Sequence, residues 1–386
     1  MTPPDPRAAE LHRRLFKIDT HMDTPTSGML LHPGWDFGAR HESDDDFTRC
    51  DLPRMTEGGL DAVFFAAFIM QGARTPEANA AARASLRHIV ANTRAHVARH
   101  PLHCALAVTA DDGPRLKTEG RRAIYLSVEN GYAVAGEPAM LVELRAQGVR
   151  MFGFTHLNNN DLADSSTDPR GPEWNGLSPV GREVVAECNR LGILLDASHA
   201  SDTVVRQLFE HSRASVILSH TNCAALSPQT RNIGDDLLRE LAAAGGVIQL
   251  NVINAFVRIG ADQAFQSVLA GYVARSDGAV PTLDYIIKSS QASHATARER
   301  SQLPGPSLDD FVRHIEHAVE VAGINHVGIG TDLDGGGDGT VFHDVTKYPL
   351  LTAALLARGW SEEHLAKFWG GNTLRVLRAA EDFAAK

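Results

Sequence analysis

The sequence predicts an α/β fold: a (β/α)8 TIM-like barrel with a helical insertion before the last strand and a C-terminal helical tail, in one domain over residues 1–386. Three observations predict it. Apolar runs of strand length recur eight times, and a helical stretch follows each at crossover spacing. No Gly-rich phosphate fingerprint follows the first run, which disfavours an open dinucleotide-binding sheet. The polar residues that end these runs are drawn mostly from His, Asp, Glu and Asn, and a barrel gathers its chemistry at the carboxyl ends of its strands.

Phe16 to Thr20 is the first strand, and it delivers His21-Met22-Asp23. Residues two apart on a strand share a face, so His21 and Asp23 point the same way. Pro25 to Arg49 is irregular, and its Asp44-Asp45-Asp46 run reads as solvated loop. Leu60 to Ile69 is a buried strand, and Ala78 to His100 a long Ala-rich helix with Arg87 and Arg94 on its wetter side. Ala123 to Val128 is a strand running into Glu129-Asn130-Gly131. Pro138 to Gln147 is a helix stopped by Gly148, and Val149 to Phe154 a strand ending at Thr155-His156. Gly176 to Leu191 holds a helix, and Gly192 to Leu195 leads into Asp196-Ala197-Ser198-His199. Ser201 to His211 is a helix, and Ser215 to Leu218 a strand ending at Ser219-His220. Asp235 to Ala244 is a helix, and Gly246 to Leu250 a strand ending at Asn251. The alternation lapses between Val252 and Pro306, where two helices are expected. Leu308 to Ala322 is amphipathic, His326 to Gly330 is the last strand before Thr331-Asp332, and Pro349 to Ala384 is a helical tail.

Composition narrows the function. The chain has 386 residues and a formal charge of -10, which argues against a nucleic-acid footprint and against a polybasic membrane surface. No run approaches the roughly 20 apolar residues a membrane helix needs. Met1 to Arg14 carries prolines and charges without an apolar core, so no signal peptide is expected. Cys50, Cys104, Cys188 and Cys223 lie far apart with no CxxC, which suits a reduced, cytoplasmic protein.

The strand ends present His21, Asp23, Glu129, His156, His199, His220, Asn251 and Asp332. His21, His199 and His220 with Asp23 and Glu129 exceed the needs of one zinc, whereas two divalent ions about 3.5–4 Å apart would use them all. Glu129 is the natural bridge, because a carboxylate has two oxygens to share. Plainer readings exist: Glu129 as a helix-capping acid, and His199 and His220 as satisfied core histidines. The parallel Asp-Ala-Ser-His and Leu-Ser-His endings weigh against the second. Asp332-Leu-Asp334-Gly-Gly-Gly-Asp338 looks like a calcium loop, but its twelfth position is His343 where such a loop needs Glu. His314 and His317 lie three apart on a helix and read as a solvated face rather than a metal pair. Ser165-Ser166 lacks a Gly-x-Ser-x-Gly elbow, and a Cys223 nucleophile would leave the other strand ends unexplained.

These residues resemble the membrane (renal-type) dipeptidases, the M19 metallopeptidases among the amidohydrolase-like barrels. The similarity runs from Ile18 to Leu377. It rests on Asp19-Thr-His-Met-Asp23, Gly58-Gly-Leu-Asp61, Ser127-Val-Glu-Asn-Gly131, Thr155-His-Leu-Asn-Asn-Asn160, Ala163-Asp-Ser-Ser166 and Trp174-Asn-Gly-Leu-Ser178. It continues through Asp196-Ala-Ser-His199, Ser219-His220, Arg231-Asn232, Gly245 to Asn251, Gly328-Ile-Gly-Thr-Asp332 and Gly370-Gly-Asn372.

The resemblance implies a zinc-dependent dipeptidase acting through a hydroxide that bridges two Zn2+ ions. It implies His21, Asp23 and Glu129 on the first zinc and Glu129, His199 and His220 on the second. It makes Asp332 the proton carrier, His156 the partner of the substrate carbonyl, and Arg231 the anchor of the substrate carboxylate. Asn251 joins His156 and Arg231 as a substrate-binding residue in this reading. The chain departs from the family beside its first ligands: relatives often read Asp-Gly-His-Asn-Asp-Leu there, against Asp-Thr-His-Met-Asp-Thr here. The ligands survive, but the pocket wall differs. The other function considered is a binuclear amidohydrolase acting on N-acyl-amino acids, lactones or β-lactams. The expected partner is a small dipeptide-like substrate, with no nucleic acid, no membrane, and a homodimer allowed for.

Overall fold

The computed structural model describes residues 6–42, 48–258, 260, 263–300, 304–335 and 340–384. The Asp44-Asp45-Asp46 run and Asp338 of the glycine-rich loop lie outside these residues. The parallel sheet has nine strands: β1 Ile18–Met22, β2 Ala62–Phe68, β3 Cys104–Leu106, β4 Arg122–Glu129, β5 Val149–Gly153, β6 Leu194–Asp196, β7 Ile217–Leu218, β8 Val247–Leu250 and β9 Val327–Ile329. Eight of them follow the order β1-β2-β4-β5-β6-β7-β8-β9, while β3 adds to β4 alone. Strands β4, β5 and β8 are rich in apolar residues and almost wholly buried, as strands covered on both faces must be, and β1 is buried throughout although three of its five residues are polar.

The ring is nearly closed. Beyond the regular ladder, Met22 bridges Leu333 in parallel, the Asp332 amide donates to His21 O at 3.1 Å, and the Asp23 amide donates to Leu333 O at 3.1 Å. Beneath this seam lies Asp19, fully buried. Its carboxylate accepts from the His21 amide at 3.0 Å, the Thr331 amide at 3.1 Å, the Thr331 hydroxyl at 2.7 Å, and the Tyr348 hydroxyl. One side chain therefore ties the first strand to the last. Asp19→Ala strands these buried donors at about 1–3 kcal/mol each. We expect it to cost about 2–5 kcal/mol in urea unfolding, read as a lower midpoint at unchanged slope.

Residues at the strand starts, Ile18, Ala62, Leu194, Ile217 and Val247, form one apolar cluster with Leu374, Val376 and Leu377 of the last helix, Asn372–Ala384. The terminal helix thus fills the amino end of the barrel, and the carboxyl end is left for chemistry. Crossover helices follow the expected positions: Pro76–Ala98, Met140–Ala146, Pro179–Leu191, Asp202–His211 and Asp235–Ala243. Helix Leu308–Ala322 starts in a Ser307/Asp310 capping box. Before it, the insertion supplies helices Gln263–Ser276 and Leu283–Arg300. Among the described residues no helix is long and apolar enough to cross a membrane.

One expectation is corrected. His314 does not sit on a solvated face but is 1 % exposed: its Nδ1 accepts from the Cys223 amide at 3.2 Å, and its Nε2 meets Val257 O at 2.9 Å. Its neighbour His317 pairs with Asp235 at 2.7 Å. Neither belongs to a group of potential metal ligands among the described residues.

Candidate active site

Six strands bring acid, base or ligand groups to the carboxyl end of the barrel. His21 is on β1, with Asp23 just beyond it, and Glu129 is the last residue of β4. His156, His199, His220 and Asp332 follow β5, β6, β7 and β9. Glu129 divides its oxygens: Oε2 lies 3.4 Å from His21 Nε2, while Oε1 lies 3.0 Å from His199 Nε2 and 3.6 Å from His220 Nε2. His21 Nε2 is 3.3 Å from Asp23 Oδ2 and 4.0 Å from Asp332 Oδ1. The His21 and His220 rings stack at 3.7 Å, and the Nε2 atoms of His199 and His220 face each other at 2.9 Å.

The backbone is bent to allow this. His199 and Asp332 occupy left-handed conformations, φ 67° and 61°, which non-glycine residues seldom adopt outside functional sites. Gly335 makes room for the last strand's acid: a Cβ there would fall 1.9 Å from Asp332 Oδ1 and 2.7 Å from Asp23 Oδ2.

A second layer, absent from the sequence-based expectations, orients the histidines. Asp196 accepts from the amides of Ser198 and Ser219, each at 2.9 Å, and from the Ser219 hydroxyl. With its proton committed to Asp196, that hydroxyl accepts from His220 Nδ1 at 2.7 Å. This fixes the tautomer that leaves a lone pair on Nε2, facing the cluster. The His21 amide is held in the same way by Asp19. An aspartate two residues before His21 and another three before His199 are the signal that could have found both.

Burial and close charges shift the titration of the cluster. Burial pushes Glu129 and Asp332 up against the opposing pull of His21, with Asp332 well above the carboxylate range. Burial, then Arg231 and neighbouring histidines, holds His199 and His220 well below the usual imidazole range. Burial also opposes protonation of His21, but Glu129 and Asp23 outweigh it and raise its pKa. Among the described residues, both ring nitrogens of His21, Asp23 Oδ1 and His199 Nδ1 are buried without a hydrogen bond.

Converging imidazole and carboxylate lone pairs with unmet bonding capacity fit divalent metal. Three overlapping sets have ligand atoms within 4.8 Å of one another: His21, Glu129 and His220; Glu129, His156 and His199; His21, Asp23 and Asp332. Distance alone therefore groups His156 with Glu129 and His199, and Asp332 with His21 and Asp23, which differs from the expected partition.

The cluster forms the floor of a cavity of about 150 Å³. Phe68, Met70, Leu157, Ile253, Phe256 and Tyr272 give it apolar walls, and Ser290, Ser293 and His294 of the insertion reach in from above. His156 sits edge-on between Phe68 at 4.8 Å and Tyr272 at 5.3 Å. Burial, then Arg231, lowers its pKa to about 3, so the ring is neutral. Arg231 is buried, donating to Thr221 Oγ1 at 2.9 Å and His220 O at 2.8 Å, with its guanidinium 5.8 Å from the Phe256 ring. Among the described residues its Nε has no partner and no carboxylate lies in salt-bridge range; burial lowers its pKa to about 10.

Arg231 is not among the residues that line the cavity, and nor is Asn251, likewise expected to touch substrate. It is fully buried, its Nδ2 donating to His220 O at 3.2 Å and its Oδ1 accepting from the Ile253 amide at 3.1 Å.

A family model described as membrane dipeptidase (peptidase family M19) matches residues 6–386. Among curated relatives, dipeptidase verJ of Clonostachys rogersoniana is 29% identical over 380 residues, covering 96% of this chain and 85% of its own. An uncharacterized dipeptidase of Schizosaccharomyces pombe is 30% identical over 390 residues, covering 97% of this chain and 83% of its own. The crystal structure of the probable dipeptidase PvdM from Pseudomonas aeruginosa superimposes with a TM-score of 0.82 at 29% identity, covering 98% of each chain.

Proposed function

From the premise that the chain belongs to the membrane dipeptidase family, peptidase family M19, we propose that this cleft hydrolyses short dipeptides with two zinc ions held by His21, Asp23, Glu129, His199 and His220. A metal-dependent dipeptidase is what the family and its relatives make this chain; zinc, two ions and the residue roles are the finer reading. The observation that supports it best is the division of Glu129's oxygens, one toward His21 and the other toward His199 and His220. Bound there, divalent ions would lower the pKa of a water toward about 7 and polarise the scissile carbonyl.

The chain's own residues do the rest. His156, neutral and 16% exposed at its side chain, donates to the oxyanion that develops on the carbonyl. A fixed donor of this kind supplies about 2.7–4 kcal/mol. Asp332 takes the proton of the attacking water and passes it to the leaving amine. Asn251 holds the His220 carbonyl and so positions a ligand rather than substrate. The four buried cysteines, none of them in a disulfide, suit the cytoplasmic location that goes with this reading.

Arg231 carries the specificity for free dipeptides. A buried guanidinium without a carboxylate partner is costly, and a substrate's terminal carboxylate would supply the missing charge. Removing such a charged hydrogen bond costs about 1.5–3 kcal/mol, roughly 10- to 150-fold, mostly in KM if the contact is equal in ground and transition states. Arg231→Ala should show that loss on a free dipeptide. Amidating the dipeptide's C-terminus should impose a similar loss on the wild type and little more on the variant. Equal turnover of free and amidated substrates by the wild type would reject the anchor and favour the broader amidohydrolase.

A further inference from the structure

The cavity's walls are unlike. Opposite the apolar side, Thr26 and Ser27 of the short helix Thr24–Ser27 face Ser290, Ser293 and His294 of the insertion. Ser27 Oγ donates to Asp334 O and meets His294 Nε2 at 2.8 Å, so that hydroxyl is committed. Thr26 is different: 4% exposed, it has a buried hydroxyl with no hydrogen-bond partner among the described residues, and Ser290, 7% exposed, and the half-buried Ser293 line the cavity with it. A buried hydroxyl with unmet capacity in a largely apolar cleft is costly unless a ligand or water satisfies it, and the two serines add donors and acceptors to the same wall.

Charge decides what kind of ligand fits. Among the described residues no lysine or arginine lines the cavity, Arg231 coming only within 5.8 Å of the lining ring of Phe256, so an acidic side chain at the hydroxyl wall finds no cation there. Its carboxylates are also spoken for. Asp23, Glu129 and Asp332 belong to the cluster on the floor, and Asp334 accepts from Thr24 Oγ1 at 2.6 Å and the Arg49 amide at 2.7 Å. A basic side chain therefore finds no free anion. What remains is a neutral group that both gives and accepts hydrogen bonds.

Orientation follows from the barrel. Arg231 lies beside the end of β7, against Thr221 and His220, whereas Thr26 and Ser27 stand over β1, three strands further round the ring. A dipeptide whose carboxylate reached past Phe256 to Arg231 would turn its amino-terminal residue toward the hydroxyl wall. We propose that this wall is the subsite for a small uncharged hydrogen-bonding side chain, such as that of asparagine, serine or glutamine, on the amino-terminal residue of the substrate. The proposal rests on the dipeptidase reading and on Arg231 as the carboxylate anchor.

The test is kcat/KM of the zinc-loaded enzyme over two series, X-Ala and Ala-X, with X being Asn, Ser, Gln, Leu, Met, Asp or Lys. Asn-Ala should exceed the near-isosteric Leu-Ala by about tenfold or more, because a site built to hydrogen-bond rejects the analogue that cannot. Asp-Ala and Lys-Ala should also fall below Asn-Ala. In Thr26→Val, and separately in a Ser290→Ala/Ser293→Ala variant, the Asn-to-Leu ratio should drop toward one. Being a ratio within each protein, it still reports if part of a preparation is misfolded. Equal use of Asn-Ala and Leu-Ala by the wild type, a ratio unmoved in both variants, or a preference confined to the Ala-X series would each overturn the subsite while leaving the dipeptidase reading intact. Failure to cleave any member of either series, with both metals bound, would instead reject that reading.

Discussion

Glu129→Ala is expected to lower kcat/KM for a dipeptide by about 10³–10⁵, the range that follows when several kcal/mol of metal-derived stabilisation is lost at 1.36 kcal/mol per decade. The Glu129 carboxylate faces four histidines: His21 at 3.4 Å, His199 at 3.0 Å, His220 at 3.6 Å and His156 at 4.0 Å. Removing it deprives both halves of the cluster of their shared anion. It also leaves His199 and His220, 2.9 Å apart, with less to hold a cation between them. Metal content, measured by elemental analysis on protein made with ample zinc, should fall from near two per chain to one or none. A variant that keeps two metals and more than a tenth of the activity would show that Glu129 is not the bridge.

Asp332→Asn should lower kcat by about 10²–10⁴, the usual contribution of a positioned acid–base group. The side chain lies 4.0 Å from His21 Nε2 and at the edge of the Asp23 cluster, so it could be a ligand as well as a proton carrier. Asparagine keeps the shape and an oxygen donor but cannot shuttle a proton. Retention of two metals with a depressed kcat and a nearly unchanged KM assigns the proton role. Loss of one metal alongside activity would make Asp332 a ligand and remove that role.

The cluster at the barrel mouth was legible because it is local: an apolar run sets each strand, and the polar residue at its end must point into the mouth. To be found as neighbours there, His21, Asp23, Glu129, His199 and His220 needed nothing more. What escaped was everything that depends on a second segment. Ser219 matters for the Asp196 carboxylate it meets, which a sequence read one residue at a time does not reveal. Asn251 and His314 look like available polar residues, yet both are buried and bonded to backbone groups from other elements. Strand β3, three residues long, carries too little pattern to stand out from loop. The hydroxyl wall joins Thr26 to Ser290 across most of the chain, through an insertion that breaks the alternating rhythm.

The seam where Asp19 meets Thr331 joins residues 312 positions apart, and this has a consequence for how the enzyme is made. At roughly 5–20 residues per second, a ribosome needs on the order of tens of seconds to span that interval. During that time β1 and β8 are both open edges of a curved sheet, templates for pairing with other chains. The nascent chain already displays His21, Asp23, Glu129, His199 and His220, while the acid that completes the site is still to be translated. A product truncated before β9 carries all five proposed ligands yet has neither its seam nor Asp332. Activity and closure arrive together, at the end of synthesis.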